Sequence, residues 1–341
     1  ATMMRETYQN LKGGNYLLSK LLGTEGYKEG TEVSATVSEG VKVHSNELPP
    51  IPQTHKQAMA SPLRMFWEAA IKSEHDSLVA REVYGLSDLP KDRKALRCKY
   101  VFAYKTDADG YLLRFKCRLV ACGYSQIPGQ DFDQTHSPVV RIQTIRLILA
   151  LFAKYGFHLD NMDVSTAFLY ADLKEVNYMR APPGLNIPEG KYLELKKALY
   201  GLHQSSREWY LTLKAFLEEE GFKACVSDSC LFVKDAHDIS KALIVMVYVD
   251  DIIVLGKDRT IVDKLKDKFK KQYKMTDFGE AQHVLSIKVK RVKNGNKDGL
   301  YLGQGTYVQR MLEEAGYWNK DNVLPSSTRS NPMSPTWKHD E

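Results

Sequence analysis

Two short apolar runs with a pair of acids between them dominate the pattern of this chain. Leu243 to Val249 and Ile252 to Leu255 are almost wholly apolar, and Asp250-Asp251 separates them. Runs of this length predict buried strands, and the short connection predicts a β-hairpin with an acidic turn. Tyr100 to Lys105 and Tyr111 to Ala121 predict a second hairpin around Asp107-Ala108-Asp109-Gly110. Strand alternation there puts Arg114, Lys116 and Arg118 on one face and Phe115 and Leu119 on the other. Phe157 to Val164 reads as a further strand, and Gln282 to Lys290 with Gly299 to Leu302 as a later hairpin.

Helical periodicity alternates with these strands. A helix is predicted from Pro62, with Phe66, Ala69, Ala70 and Leu78 near one face, and another over Ile142 to Tyr155, with Ile142, Ile145, Leu149 and Phe152 in register. Arg207 to Glu220 carries Trp209, Leu213, Phe216 and Leu217 inward, and Gly221 suits its end. Thr260 to Tyr273 has the stripe Ile261, Leu265, Phe269 and Tyr273 with lysines on the other face. Tyr307 to Ala315 is a last short helix. Helices interleaved among antiparallel hairpins give an α+β class. Residues 1–58 show no sustained period and read as a linker or flexible lead-in. The polar, proline-containing tail 326–341 is expected to be disordered. The folded domain is therefore expected over 59–325.

Composition narrows the class. The chain has 341 residues, 43% hydrophobic and 10% aromatic, enough for a packed core. Its longest apolar run, Ala242 to Val249, is far short of the ~20 residues of a membrane helix. With no signal segment, neither membrane association nor secretion is expected. Five cysteines without a CxxC pair read as free thiols in a reducing compartment. The net charge of +6 is clustered. Lys91 to Arg118 holds nine basic and three acidic residues, and Lys257 to Lys274 holds eight and three. Such clusters suit a polyanion or form an ordinary solvated face. The same two readings apply to the lysine-rich helix from Lys264 to Lys274.

Asp250-Asp251 is either a surface turn or a metal site. Aspartate favours turns, but Asn-Gly or Asp-Gly is commoner between paired strands. Two adjacent carboxylates repel unless a cation neutralises them, and hard oxygen ligands suit Mg²⁺. A second acid, Asp163, ends another strand. If it lies beside Asp250, three carboxylates converge, a set able to hold two ions as in polymerases.

Tyr248-Val249-Asp250-Asp251 resembles the YxDD signature of reverse transcriptases. The likeness covers about residues 53–325. Lys116-Cys-Arg118-Leu-Val-Ala-Cys-Gly123-Tyr-Ser-Gln126, Ser137-Pro-Val-Val-Arg141 and Asp163-Val-Ser-Thr-Ala-Phe-Leu169 follow the order of copia-type retrotransposon enzymes. So do Pro182-Pro-Gly184 and Lys197-Ala-Leu-Tyr-Gly-Leu-His-Gln204 through Trp209-Tyr210.

The resemblance implies a right-hand polymerase fold with fingers, a palm of antiparallel sheet plus helices, and a partial thumb. It implies RNA-directed DNA polymerase activity, a nucleotidyltransferase reaction, within a Pol polyprotein. Asp163, Asp250 and Asp251 match the catalytic metal-binding triad, with the Val164 carbonyl also reaching a metal. Two Mg²⁺ ions are implied, with Mn²⁺ as a substitute. Lys116 and Arg118 would meet the triphosphate, with Lys105 a weaker candidate. Tyr200 and Gly201 would line the sugar and base. Phe168 matches the steric gate against a ribose 2′-hydroxyl, its other reading being a core aromatic. Gln204, Tyr248, Leu285 and Ser286 would meet template or primer.

Implied partners are an RNA or DNA template with primer, deoxynucleoside triphosphates and other polyprotein segments. The implied location is cytoplasmic, in a virus-like particle, with access to the nucleus. No ribonuclease H domain is expected in this stretch. Ser286 stands where a glycine is typical, and Cys122, His136, Asn177, His203 and Ser206 also depart from the family pattern. The alternative reading is a truncated or inactive remnant that binds nucleic acid without polymerising.

Overall fold

The computed structural model describes residues 17, 20–21, 34–37, 41–107, 109–285, 287–294 and 297–317. The expected tail, most of the expected lead-in and Ser286 lie outside them. Helices are α1 (His55–Ala60), α2 (Arg64–Ala80), α3 (Ile142–Tyr155), α4 (Ser205–Glu219), α5 (Arg259–Gln272) and α6 (Gly305–Glu314). Strands are β1 (Tyr84–Asp88), β2 (Cys98–Thr106), β3 (Leu112–Ala121), β4 (His158–Val164), β5 (Asp172–Met179), β6 (Lys191–Lys197) and β7 (Lys223–Ala224). They continue with β8 (Leu231–Lys234), β9 (Leu243–Tyr248), β10 (Asp251–Gly256), β11 (Met275–Glu280), β12 (His283–Val284), β13 (Ile287–Asn294) and β14 (Lys297–Gly303).

The α+β class holds, and all the sheet pairings between these strands are antiparallel. A six-stranded sheet in the order β11-β4-β10-β9-β8-β7 carries the acids. Sheets β1-β6-β5 and β12-β13-β14 and the β2-β3 hairpin surround it. The predicted helices and the β2-β3 and β9-β10 hairpins form within a few residues of their expected bounds. Strands β1, β5, β6, β7, β8 and β11 are additions to the expected elements. Their polar and apolar positions mix because only part of each is covered, so the period of two blurs.

The six-stranded sheet is buried on both faces. Met162, Val164, Val245, Val247, Ile252 and Val254 pack with Trp209 and Leu213 of α4 and Leu265 and Phe269 of α5. On the other face, Leu159, Ile244, Met246, Ile253 and Leu255 pack with Ile145, Ile148, Leu149 and Phe152 of α3. Ile142, expected on the inner face of α3, is 52% exposed, and Ile148 is buried in its place in the stripe.

The third core lies under the β2-β3 hairpin. Phe115, Cys117 and Leu119 bury against α2, with Phe66 stacked on Phe115 at 4.7 Å. The expected flexible lead-in is docked in part. Phe115 donates its amide to the Ala35 carbonyl at 2.8 Å, and Leu112 donates to Val43 at 2.8 Å. Val43 is fully buried. The free edge of β3 offers unpaired backbone groups, and residues 35–37 and 43–45 satisfy some of them.

Candidate active site

The β9-β10 hairpin closes through the two-residue loop Val249-Asp250, so that Asp251 sits opposite Tyr248. On its other side Asp251 sits opposite Asp163 of β4, and Asp163 sits opposite Thr276 of β11. Cross-strand partners share a face. Tyr248, Asp251, Asp163 and Thr276 therefore form one row at the end of the sheet. The turn is drawn onto β4 by the Val164 amide, which donates to the Asp250 carbonyl at 2.9 Å.

The carboxylates of Asp163, Asp250 and Asp251 have no ion pair or side-chain hydrogen bond among the described residues. Their protonation reflects this. Burial, then the charges of Asp250 and Asp163, push Asp251 up to about 6. Burial and Asp250 likewise raise Asp163, and Lys116, Arg118 and Lys105 act against the rise. The three acids thus feel one another, with Asp251, not the expected Asp250, as the strand partner of Asp163. They do not form a closed cage, because no three His, Cys, Asp or Glu side chains among the described residues stand ready to grip one ion. Such a cage is not what Mg²⁺ asks for. It keeps several waters and is commonly held by one or two carboxylates plus substrate phosphates. A hard oxygen donor set without a neutralising cation fits such an ion. The Asn161 carboxamide oxygen, two residues before Asp163 on the same strand face, is buried without a partner.

The basic face of β3 is aimed at these acids. Lys116 lies opposite Ala103, Arg118 opposite Val101 and Arg114 opposite Lys105, so Lys105, Arg114, Lys116 and Arg118 share one side. Burial first, then the charges of Arg118, Arg114 and Lys105, push Lys116 down to about 8. The Arg118 guanidinium lies over the Tyr200 ring at 4.6 Å, and its Nε is buried without a partner. Tyr200 in turn meets Phe168 at 4.8 Å between ring centroids. Phe168 is half-buried, on the 3-10 turn Ala167–Tyr170 that follows Asp163. Phe168 is therefore partly open beside the basic face and is not sealed in a core.

Gly201, in the connection from β6 to α4, closes onto the end of β3. Its φ is +92°, and a Cβ there would stand 2.1 Å from the Ala121 carbonyl oxygen. Only glycine permits both the backbone angle and the approach. The Ala121 amide donates to the Tyr200 carbonyl at 2.8 Å across the same junction.

Several expected residues take other places. Gln204, expected at the template, is fully buried, and its side chain is not open to a template contact. Its amide donates to the Asp131 carbonyl at 2.8 Å and accepts from Gln126 at 3.0 Å. Asn177, a departure from the family pattern, completes the network by donating to Asp131 at 2.9 Å and accepting from Gln126 at 3.0 Å. Buried amides need such closure. Leu285 sits between β12 and β13 with φ +55° and packs on the α3 side of the sheet. Tyr248 is 37% exposed beside Asp251, open to a bound partner.

Asp160 belongs to none of the motifs named above. This acid lies three residues before Asp163 on β4, fully buried beneath α5. Arg259 grips it with two bonds of 2.8 Å, and Lys266 also pairs with it. Lys266 bridges on to Asp277 at 2.9 Å, and Lys270 reaches Asp277 at 2.7 Å. Lys266 is only 4% exposed, which corrects the placing of every α5 lysine on a solvated face. The signal was present in the spacing. Val262, Leu265, Lys266 and Phe269 follow one helical stripe, so Lys266 falls within it.

A family model described as reverse transcriptase (RNA-dependent DNA polymerase) matches residues 81–327. The chain is 37% identical over 279 residues to the retrovirus-related Pol polyprotein from transposon TNT 1-94 of Nicotiana tabacum, covering 81% of this chain and 21% of that protein. It is 34% identical over 276 residues to the Pol polyprotein from transposon RE1 of Arabidopsis thaliana, covering 80% of this chain and 18% of that one. A solved foamy viral protease-reverse transcriptase in complex with ds DNA aligns at 12% identity and a TM-score of 0.36, over 84% of this chain and 46% of that chain, a likeness too slight to bear on the fold. The chain spans about a fifth of the length of these Pol polyproteins.

Proposed function

Because this chain belongs to the reverse transcriptase (RNA-dependent DNA polymerase) family, in its copia-type branch, we propose that it adds deoxynucleotides to a primer 3′-hydroxyl on an RNA or DNA template. The observation that carries this reading is the row Tyr248, Asp251, Asp163 on one sheet face, with the basic side of β3 coupled to Asp163. The acids and the β3 cations feel one another's charge without forming an ion pair among the described residues, and a nucleoside triphosphate with a divalent ion would bridge them.

Asp163, Asp250 and Asp251 would hold the ions, with the Val164 carbonyl beside them. When bound, Mg²⁺ supplies charge neutralisation for the attacking oxygen and the leaving pyrophosphate. Lys116 and Arg118 bind the triphosphate oxygens, and Arg118 does so from a guanidinium already fixed against Tyr200. Phe168 and Tyr200 bound the sugar, so a 2′-hydroxyl would meet the Phe168 ring. The bond from the primer 3′-oxygen to the α-phosphorus forms as the bond to pyrophosphate breaks. The protein contributes positioning and fixed charge to that exchange. A template with primer, other polyprotein segments, and a cytoplasmic particle as location belong to the same proposal.

Primer extension on a poly-A template with Mg²⁺ tests it, comparing the chain with Asp250→Asn. Extension that the substitution abolishes is expected. Extension that persists unchanged would remove these acids from the chemistry. Absence of extension by the unaltered chain, with template still bound, would favour the non-polymerising remnant.

A further inference from the structure

The turn that carries the acids is strained, and an indole holds it. Val249 has φ +55°, a region that a β-branched residue adopts only under outside restraint. Tight two-residue hairpin loops favour positive φ at their first central position, where asparagine, aspartate or glycine is usual. Here that position is valine. The Val249 carbonyl accepts a hydrogen bond from Trp209 Nε1 at 2.7 Å. The next carbonyl, that of Asp250, accepts from the Val164 amide at 2.9 Å. The loop is thus pinned from α4 on one side and from the strand of Asp163 on the other.

Trp209 is itself fixed. It is fully buried, with Tyr273 edge-on at 5.3 Å and Tyr170 at 6.3 Å. The Tyr170 hydroxyl accepts from the Lys274 amide at 2.7 Å, which ties the end of α5 to the same ring group. The direction of the indole N–H is therefore set by packing on three elements. A buried indole takes a hydrogen-bond partner, and here that partner is the carbonyl of the strained residue itself.

We propose that Trp209 is a positioning residue for the acidic turn. Its N–H holds the Val249 peptide in its strained orientation and so sets where Asp250 and Asp251 present their carboxylates. The consequence for catalysis rests on the polymerase reading, whereas the consequence for the turn does not.

The test is Trp209→Phe, which keeps an aromatic ring and loses the donor. Hydrogen-exchange protection of the Val164 amide is expected to fall about tenfold. In primer extension kcat is expected to fall about ten- to a hundredfold, with nucleotide KM and primer-template Kd within about twofold. Adding Val249→Gly, which needs no restraint to keep φ positive, should recover most of both losses. Unchanged Val164 protection, or losses that Val249→Gly does not recover, would overturn the proposal. If Trp209→Phe does not fold, the indole Nε1 proton of the unaltered chain decides. Slow exchange, hastened by Trp209-directed loss of the Val249 acceptor geometry in Val249→Pro, is expected, and a rapidly exchanging proton would overturn the bond. An unaltered chain without polymerase activity would count against the polymerase reading, and the exchange measurement would still decide the role of Trp209.

Discussion

Asp160 and Asp163 stand three residues apart on one strand and so point to opposite faces of the sheet. Asp160 is closed off by Arg259 and Lys266, whereas Asp163 feels Lys116 and Arg118 but makes no ion pair among the described residues. Position, more than residue type, separates a structural acid from a chemical one here. Replacing Asp160 with alanine leaves the buried Lys266 ammonium without this partner. A loss of about 3–5 kcal/mol is expected in denaturant unfolding. Asp163→Asn should cost less than about 1 kcal/mol, because it removes a repulsive charge and no ion pair. Equal losses for the two variants would refute the distinction.

The Asp251 carboxyl, pushed up to about 6 from its ordinary 3.8, gives the fold a distinct pH response. Between these values the folded chain retains a proton that the unfolded chain has lost. The contribution of this group to stability therefore falls as pH rises through that window and stays low above it. A divalent cation that binds the ionised site would offset the loss. Thermal melts with Mg²⁺ or Mn²⁺ should show a larger rise in Tm at pH 7 than at pH 5. At ten times Kd the linkage amounts to about 1.4 kcal/mol. Asp251→Asn should flatten this component, and a cation effect that does not change with pH would contradict the assignment.

Lys116, pushed down to about 8, holds most of its charge at pH 7 and loses it above pH 8. Nucleotide KM is expected to rise as pH passes 8, while primer-template affinity changes less. Lys116→Arg should remove that rise, because arginine keeps its charge throughout. Steady-state kinetics over pH 6.5–9.5, a range chosen to be about 1.5 units either side of that value, decide the matter. A KM profile identical in the two proteins would exclude Lys116 from triphosphate binding.

Phe168 reaches Tyr200 from the turn after Asp163 and remains half-buried. Phe168→Ala should raise the use of ribonucleotides relative to deoxynucleotides by about tenfold or more, mainly by relief of a steric clash. Competition between the two nucleotide types in primer extension provides the measurement. An unchanged ratio would return Phe168 to a packing role.

Gly201→Ala meets two obstacles together, a φ of +92° and a carbonyl oxygen 2.1 Å from the new methyl. The junction must shift, at a cost of about 1–3 kcal/mol. The basic face of β3 would move with it, so nucleotide KM should rise along with the loss of stability. A stable variant with unaltered KM would show that the junction is not rigid.

Much of this protein was legible in its sequence because the relevant forces are local. Strand alternation placed Lys116 and Arg118 opposite Phe115 and Leu119, and the apolar runs around Asp250-Asp251 defined their hairpin. Helical periods located α3 and α5 because each buries one stripe. The motif order then identified the family. Sequence spacing could not place residues whose meaning depends on a distant partner. Spacing puts Lys266 in the buried stripe of α5, but its partner Asp160 lies more than a hundred positions away, and only the fold brings the two together. Gln204 looked like a template contact until Gln126, Asn177 and Asp131 enclosed it. The strain at Val249 and the indole that restrains it are likewise properties of the packed chain. Local pattern determined which segments are strands and helices and which residues carry charge. Tertiary packing decided which charges are neutralised and which are left open, because pairing and desolvation are set by neighbours that only the fold brings together.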